Sequence, residues 1–304
     1  MYASAVGASG RDAGVELRDG RVVEYWDGGD PGGRVVILHP GTPETRALGR
    51  WGHEAAGSAG VRLVAVNRPG YGGSAMPAGA PSLRRTGEDT AALADALGVE
   101  AYAVFGLSGG GPFAVATAVA DPSHVRALGV VGGVGPWRAL DEPSSLPEDR
   151  ATLALLDAGD AAGAWDRMRD GAERDLDPLR ALDDDGRVDA FMAPFGKDIP
   201  LLRDPAYRAI WAENMRLVLA RVDGYVFDNL AWGGAWDVDP SDVAAPTVLS
   251  YGDADSHCPP DTHGRWYADR IAHSELVVFP GAGHLDVVDA HWPEVLAGLL
   301  RVWA

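Results

Sequence analysis

Apolar residues follow two rhythms along this chain. Residues 15–26, VELRDGRVVEYW, alternate apolar and polar positions on both sides of Asp19-Gly20, which predicts a β-hairpin. Beyond it the apolar runs are short and continuous: RVVILHP (34–40), VRLVAVNRPGYGGS (61–74), AYAVFG (101–106), VRALGVVGG (125–133), PTVLSYG (246–252) and SELVVFPG (274–281). Such runs predict strands buried on both faces, and several run directly into Gly/Pro turns. Helical spacing occupies 46–58, 83–97, 109–120, 261–271 and 291–303, with Leu83, Leu93 and Leu97 on or near one face of the second stretch. Continuous strands alternating with helices predict an α/β fold, a mostly parallel doubly wound sheet covered on both faces.

The alternation stops between about 134 and 240. Residues 135–239 are acidic and aromatic, with helical patches broken by Pro and Asp and no clear buried strand. A helical insertion over the sheet is expected there, with 1–134 and 240–304 forming the core. No internal repeat or long low-complexity linker interrupts either part.

Composition narrows the class. The chain has 304 residues, 46% of them hydrophobic, enough for a sizeable core. Its 26 Lys and Arg face 44 Asp and Glu, a net charge of −18. A surface of that sign repels phosphate backbones and anionic lipid, so neither nucleic acid nor membrane is expected as a partner. Asp183-Asp184-Asp185 is read as a solvated loop. The single cysteine, Cys258, excludes an intrachain disulfide. The stretch MYASAVGASGRDAG lacks the basic-then-apolar pattern of a signal peptide, and no run of about 18 apolar residues occurs. A cytoplasmic protein acting on a small molecule is therefore expected, and a homo-oligomer is compatible with the sequence. The histidines are scattered and no H-E-x-x-H is present, so neither a metal nor a cofactor is expected.

FGLSGGGPFAVA (105–116) strips bulk from around Ser108 at a strand-to-helix junction. A P-loop would need Lys-Ser/Thr after its last glycine, and a dinucleotide loop needs G-x-G-x-x-G early in the chain; neither is present. Gly106-Leu107-Ser108-Gly109-Gly110 does match G-x-S-x-G, a turn that mounts a nucleophile. Side chains flanking such a sharp turn would clash, and Gly106 and Gly110 remove them. A helix beginning at Gly109 aims free N–H groups and its positive dipole end at a developing oxyanion. An elbow serine needs an acid and then a histidine downstream. PTVLSYG is followed by DADSHCPP and ELVVFPG by AGHLD, so Asp255 and His284 fall at the C-terminal ends of strands, on the edge that carries Ser108. Asp255 can fix the imidazole tautomer, and His284 can take the serine proton.

With these motifs in order, the sequence resembles the α/β-hydrolase superfamily over roughly 15–135 and 240–304. The resemblance rests on LHPGTP, NRPGYGGS, GLSGGGP, YGDADSHCPP and PGAGHLD. It implies the α/β-hydrolase fold, Ser108 as nucleophile, Asp255 as acid, His284 as base, and the insertion as a cap. The family commonly has His-Gly at the oxyanion loop, where this chain has His39-Pro40-Gly41-Thr42-Pro43. Pro40 has no N–H, so alignment names Gly41 as first donor, Thr42 as second, and Gly109 as the opposing one. Asn67 stands where Asp often precedes Arg-Pro-Gly, which alters loop hydrogen bonding rather than chemistry.

Other candidates receive plainer roles. His39 is expected to bond backbone within the oxyanion loop. Asp253 is the rival acid, with Asp255 preferred by its spacing before a Pro pair, and GGVGPW (132–137) offers no carboxylate at the alternative acid position. Cys258 is read as an inert thiol, and His257 as a loop residue that contacts substrate. Trp137, Phe191, Met192, Trp211 and Trp232, together with His257, are the expected substrate-binding residues under the cap, which implies an apolar or aromatic acyl or alcohol part.

The reaction expected is hydrolysis of an ester, thioester, lactone or amide through an acyl-enzyme, as in the esterase and aminopeptidase-like branches. Two alternatives stay open. One is non-hydrolytic triad chemistry: C–C cleavage, cofactor-free decarboxylation or a biosynthetic rearrangement. The other is a ligand-binding protein with a residual triad. Haloalkane dehalogenases and epoxide hydrolases of this fold use Asp as nucleophile, which Ser108 disfavours.

Overall fold

The structure is a computed structural model that describes residues 10–136, 140, 147–195 and 199–303. Strands β1 (Arg11–Glu16) and β2 (Val22–Gly29) form the hairpin around Asp19-Gly20, with Val15 opposite Val23. β3 (Arg34–His39), β4 (Val61–Val66), β5 (Tyr102–Leu107), β6 (Val125–Val131), β7 (Thr247–Gly252) and β8 (Ser274–Phe279) complete an eight-stranded sheet. Its order is β1-β2-β4-β3-β5-β6-β7-β8. β1–β2 and β2–β4 are antiparallel, and every pairing from β4–β3 to β7–β8 is parallel.

Successive residues of a strand point to opposite faces, so each continuous apolar run feeds two cores. Ile37, Val64, Val66 and Val104 pack on one face with helices α2 (Leu83–Ala96) and α3 (Gly111–Ala120). Val36, Leu38, Leu63 and Phe105 pack on the other with α1 (His53–Ser58) and the last helix, α10 (Trp292–Val302). Ser82 starts α2 by accepting from the Arg85 N–H, the stop-and-start chemistry of an N-cap.

Two stretches with helical spacing are less regular than the periodicity predicts. Residues 46–58 divide into a 3₁₀ segment, Arg46–Gly52, and the short α1. Gly49 and Gly52 weaken a regular helix there, and their missing side chains admit the Trp26 and Trp292 rings. Residues 261–271 hold a widened turn, Pro260–Gly264, and the brief α9 (Arg265–Ala268).

Between β6 and β7 the described residues form helices α4 (Pro147–Asp157), α5 (Ala161–Arg180), α6 (Asp184–Met192), α7 (Pro205–Ala220) and α8 (Asp223–Gly233). They bury a cluster of their own, including Met168, Met192, Tyr207, Trp211, Met215 and Val226. Leu48, Tyr71 and Leu285, from the segments that follow β3, β4 and β8, join that cluster. Asp183 caps α6 by accepting from the Gly186 N–H, so the acidic run opens a helix rather than forming a plain solvated loop. Among the described residues, no helix is long and apolar enough to cross a membrane.

Candidate active site

β3 is the first strand of the parallel set, and the chain then places β4 on one side of it and β5 on the other. The carboxyl ends of β3 and β5 flank that switch point, where crevices form in open α/β sheets. His39 at the end of β3 pairs with Gly106 at the end of β5. The loops 40–45 and 108–110 therefore face each other.

Ser108 immediately follows β5 and has φ +49°, a left-handed conformation unusual for a residue with a side chain. Its surroundings hold it there. A Cβ on Gly106 would run into the Gly110 carbonyl, and one on Gly110 into the carbonyls of His39 and Pro40. The glycines thus permit backbone-to-backbone contact as well as the sharp turn. Ser108 is half-buried, so it keeps some exposure to the crevice.

His284, beyond β8, places Nε2 3.0 Å from Ser108 Oγ. Its Nδ1 lies 2.7 Å from Asp255 Oδ2, beyond β7. Asp255 is 3% exposed, and its other oxygen accepts from the N–H groups of His257 (2.8 Å) and Cys258 (2.9 Å). Burial alone would raise the Asp255 carboxyl. The hydrogen bond and charge of His284, with those backbone donors, outweigh it and hold the group below the usual carboxylate range. Asp253 points to another task, accepting from the Gly281 N–H at 2.6 Å and tying two loops together. Gly132, with φ +55°, lies beneath the pair: a Cβ there would meet His284 Nδ1 at 3.3 Å. The loop after β6 thus gives the dyad room instead of a carboxylate.

The oxyanion loop departs from the order of preference set by alignment. The Gly41 N–H donates to Glu44 Oε2 at 2.5 Å and is committed to that carboxylate. Among the described residues the Thr42 N–H meets no acceptor, and Thr42 N sits 3.3 Å from where a Cβ of Gly109 would be. Thr42, not Gly41, is the residue set opposite Gly109. Proximity in sequence does not reveal this, because nothing in the local pattern marks Glu44 as a side chain that turns back onto its own loop. Glu44 is 9% exposed, and burial raises its carboxyl against the pull of the Gly41 N–H and the charges of Arg68 and His284.

His39 bonds side chains rather than backbone: Nε2 lies 3.1 Å from Thr117 Oγ1 on α3 and 3.4 Å from Thr90 Oγ1 on α2. Burial, with Arg68 nearby, pushes it well below the usual histidine range, so it is a neutral strut. Asn67 accepts from the Arg46 N–H (2.7 Å) and donates to Glu24 (3.0 Å), which ties the loop after β4 to β2 and to the start of the 3₁₀ segment.

The expected substrate contacts divide. Trp137 lies outside the described residues. Met192 and Trp211 are each 1% exposed, inside the cluster of the inserted helices, while Trp232 packs against a separate group with Phe113 and Phe227. Phe191 links Trp211 (5.5 Å between rings) to Phe195 (6.2 Å). Phe195, among the described residues of the insertion, is the aromatic that reaches the site, stacked 4.6 Å from His257 and 6.0 Å from His284. Its place in the sequence, among many aromatics of the insertion, carries no mark that distinguishes it. Burial and the charge of His284 hold the His257 imidazole below its usual range. Among the described residues, no group of three or more His, Cys, Asp or Glu is placed to hold a metal ion.

Residues 34–290 match the model of the alpha/beta hydrolase fold family. A stretch of 150 residues is 32% identical to a non-heme chloroperoxidase of Streptomyces lividans, covering 46% of this chain and 54% of that protein. The chain thus matches about half the length of that relative. An alpha/beta hydrolase fold protein from Nakamurella multipartita is similar in structure, with a TM-score of 0.67 and 26% identity over 96% of this chain and 99% of that one. An esterase from Exiguobacterium antarcticum has a TM-score of 0.69 at 18% identity, over 97% of this chain and all of that one.

Proposed function

The chain belongs to the alpha/beta hydrolase fold family, and from that premise we propose that it is a serine hydrolase of carboxylesterase type, acting on a small and largely apolar ester, thioester, lactone or amide. The observation that carries this reading is the continuous chain of hydrogen bonds from Ser108 through His284 to Asp255. Ser108 Oγ attacks the acyl carbon as His284 Nε2 takes its proton. Asp255 steadies the imidazolium through Nδ1. The Thr42 and Gly109 N–H groups hold the oxyanion, assisted by the dipole of the turn and helix that start at Ser108. Collapse expels the leaving group, which takes the proton back from Nε2 and leaves acyl-Ser108. Water, deprotonated by His284, then releases the acid and restores the hydroxyl.

The inserted helices act as a cap in this reading, and Phe195 with His257 forms the wall nearest the nucleophile. Phe195→Ala is expected to raise KM for aryl or medium-chain esters about 10-fold with kcat little changed, the loss of one aromatic contact. Steady-state kinetics on p-nitrophenyl esters of graded chain length check it. An unchanged KM, or a preference of the parent protein for small charged substrates, would remove the apolar wall from the account.

A fluorophosphonate probe is expected to label the protein once, on Ser108, as located by mass spectrometry of the digest. Trapping of an acylated Ser108 during turnover separates hydrolysis from C–C cleavage or rearrangement without an acyl-enzyme. Absence of labelling would favour a binding protein. The likeness to a chloroperoxidase makes hydrogen peroxide a second acceptor to assay beside water. Its attack on acyl-Ser108 would release the peracid in place of the acid.

A further inference from the structure

The inserted helices touch the oxyanion loop through a buried ion pair. Arg68 follows β4, Asp228 lies on α8, and neither side chain is exposed. Such a pair is stabilising only when its hydrogen bonds are complete, and here they are directed at specific atoms. Asp228 Oδ1 accepts from Arg68 Nε at 2.9 Å. Its Oδ2 accepts from Arg68 Nη2 (2.5 Å), Tyr71 Oη (2.9 Å) and Thr42 Oγ1 (2.7 Å). Arg68 Nη1 donates to the Pro40 carbonyl, and Nη2 donates to the Gly41 carbonyl at 2.6 Å. The rings of Phe113 and Tyr71, 4.9 and 5.4 Å from the guanidinium carbon, hold the fork in place.

The Gly41 carbonyl and the Thr42 N–H belong to one trans peptide, so they point in opposite directions. Arg68 grips the carbonyl from one side of the loop, and the Glu44 N–H, 3.0 Å away, donates to the same oxygen. The N–H is thereby turned away from Arg68, and Thr42 N lies 3.3 Å from where a Cβ of Gly109 would be. Asp228 grips the same residue by its hydroxyl. On the far side of the loop, Asn214 of α7 accepts from the Thr45 N–H at 2.8 Å and donates to the Pro43 carbonyl at 3.3 Å. We infer that Arg68 and Asp228 are positioning residues that aim the Thr42 N–H at the oxyanion, so that an inserted helix sets the reactivity of the nucleophile site. This rests on the serine-hydrolase reading above.

The variants are Arg68→Met, Asp228→Asn, and Thr42→Val beside Thr42→Ser. Arg68→Met strands a buried carboxylate and can fail to fold. Thr42→Val removes only the hydroxyl arm and keeps the backbone N–H, so the inference does not depend on the harsher change. The readouts are kcat and KM on p-nitrophenyl butyrate, inhibition by phenylboronic acid as a tetrahedral mimic, and the rate and extent of fluorophosphonate labelling. Circular dichroism and thermal melts confirm that each variant is folded. A misaimed oxyanion donor lowers kcat by about 10-fold or more. Thr42→Val and Asp228→Asn are expected to lose kcat and boronate affinity in parallel, with KM within about 3-fold and Ser108 labelled fully but slowly. Thr42→Ser is expected to restore the parent values. Folded variants with unchanged kcat and labelling rate, or with KM raised and kcat kept, would overturn the inference. A parent protein that the probe does not label at all defeats the serine-hydrolase reading, and this inference with it. A labelled parent with indifferent variants defeats this inference alone.

Discussion

Ser108→Ala is expected to lower ester hydrolysis by about 10⁴- to 10⁶-fold in kcat, with the fold unchanged. Among the described residues the hydroxyl has one hydrogen-bond partner, His284 Nε2 at 3.0 Å. Alanine adopts the same backbone at the same strain, so the turn at φ +49° is neither relieved nor worsened. Removing one half-buried hydroxyl leaves stability within about 1 kcal/mol of the parent. What disappears is the atom that forms the covalent bond. In the proposed mechanism the Thr42 and Gly109 N–H groups and a free imidazole remain to bind and polarise a carbonyl, so a small residual rate above water is expected. The measurement is single-turnover and steady-state kinetics on p-nitrophenyl butyrate, with a thermal melt on the same sample. Activity retained near the parent level in a folded, sequence-verified variant would show that another nucleophile operates.

The second large effect is Asp255→Asn, for which a loss of about 10⁴-fold in kcat is expected. Asp255 is buried, and one of its oxygens is committed to the backbone N–H groups of His257 and Cys258. The other oxygen lies 2.7 Å from His284 Nδ1, its one partner among the described residues. An amide keeps the shape but loses the charge, and its NH₂ cannot accept from His284 Nδ1–H. With the amide nitrogen toward the imidazole, the proton moves to Nε2, and the base nitrogen facing Ser108 is lost. The carboxyl is held below its usual range in the folded protein, so it stays ionised at and above neutral pH and for some distance below. The parent rate is therefore not expected to fall through protonation of Asp255 in mildly acidic solution. The Asp255→Asn variant should show a depressed rate across the whole pH profile rather than a shifted one. A near-parent rate would move the acid to Asp253, which the structure shows bonded to the Gly281 N–H instead.

Much of this architecture is legible in one dimension. Continuous apolar runs ending in Gly/Pro turns are what strands buried on both faces require, and the parallel strands β3 to β8 are found where those runs lie. Ser108, Asp255 and His284 are legible for the same reason, because each closely follows such a run and therefore shares one edge of the sheet. The order of the donors at the oxyanion loop is not legible. Gly41 and Thr42 are adjacent, and the return of Glu44 onto Gly41 occupies one of the two N–H groups, which the local pattern does not mark. Phe195 is one aromatic among many in the insertion, and its stacking on His257 is a matter of packing alone. His39 turns to the hydroxyls of Thr90 and Thr117, on helices far along the chain.

What sequence determines by itself is the part of this protein governed by local periodicity: strand against helix, the sharp turn at Ser108, and the order in which reactive groups leave the sheet. Those features follow from steric limits and burial patterns that act over a few residues. What tertiary structure decided is direction. The Gly41 carbonyl accepts from the Glu44 N–H three residues on and also from Arg68 in the loop after β4, which is itself held by Asp228 of α8, 160 residues away along the chain. A peptide plane can rotate without any change in its own sequence, so its orientation is read from the groups that bond it, near and far, and not from the residues it joins.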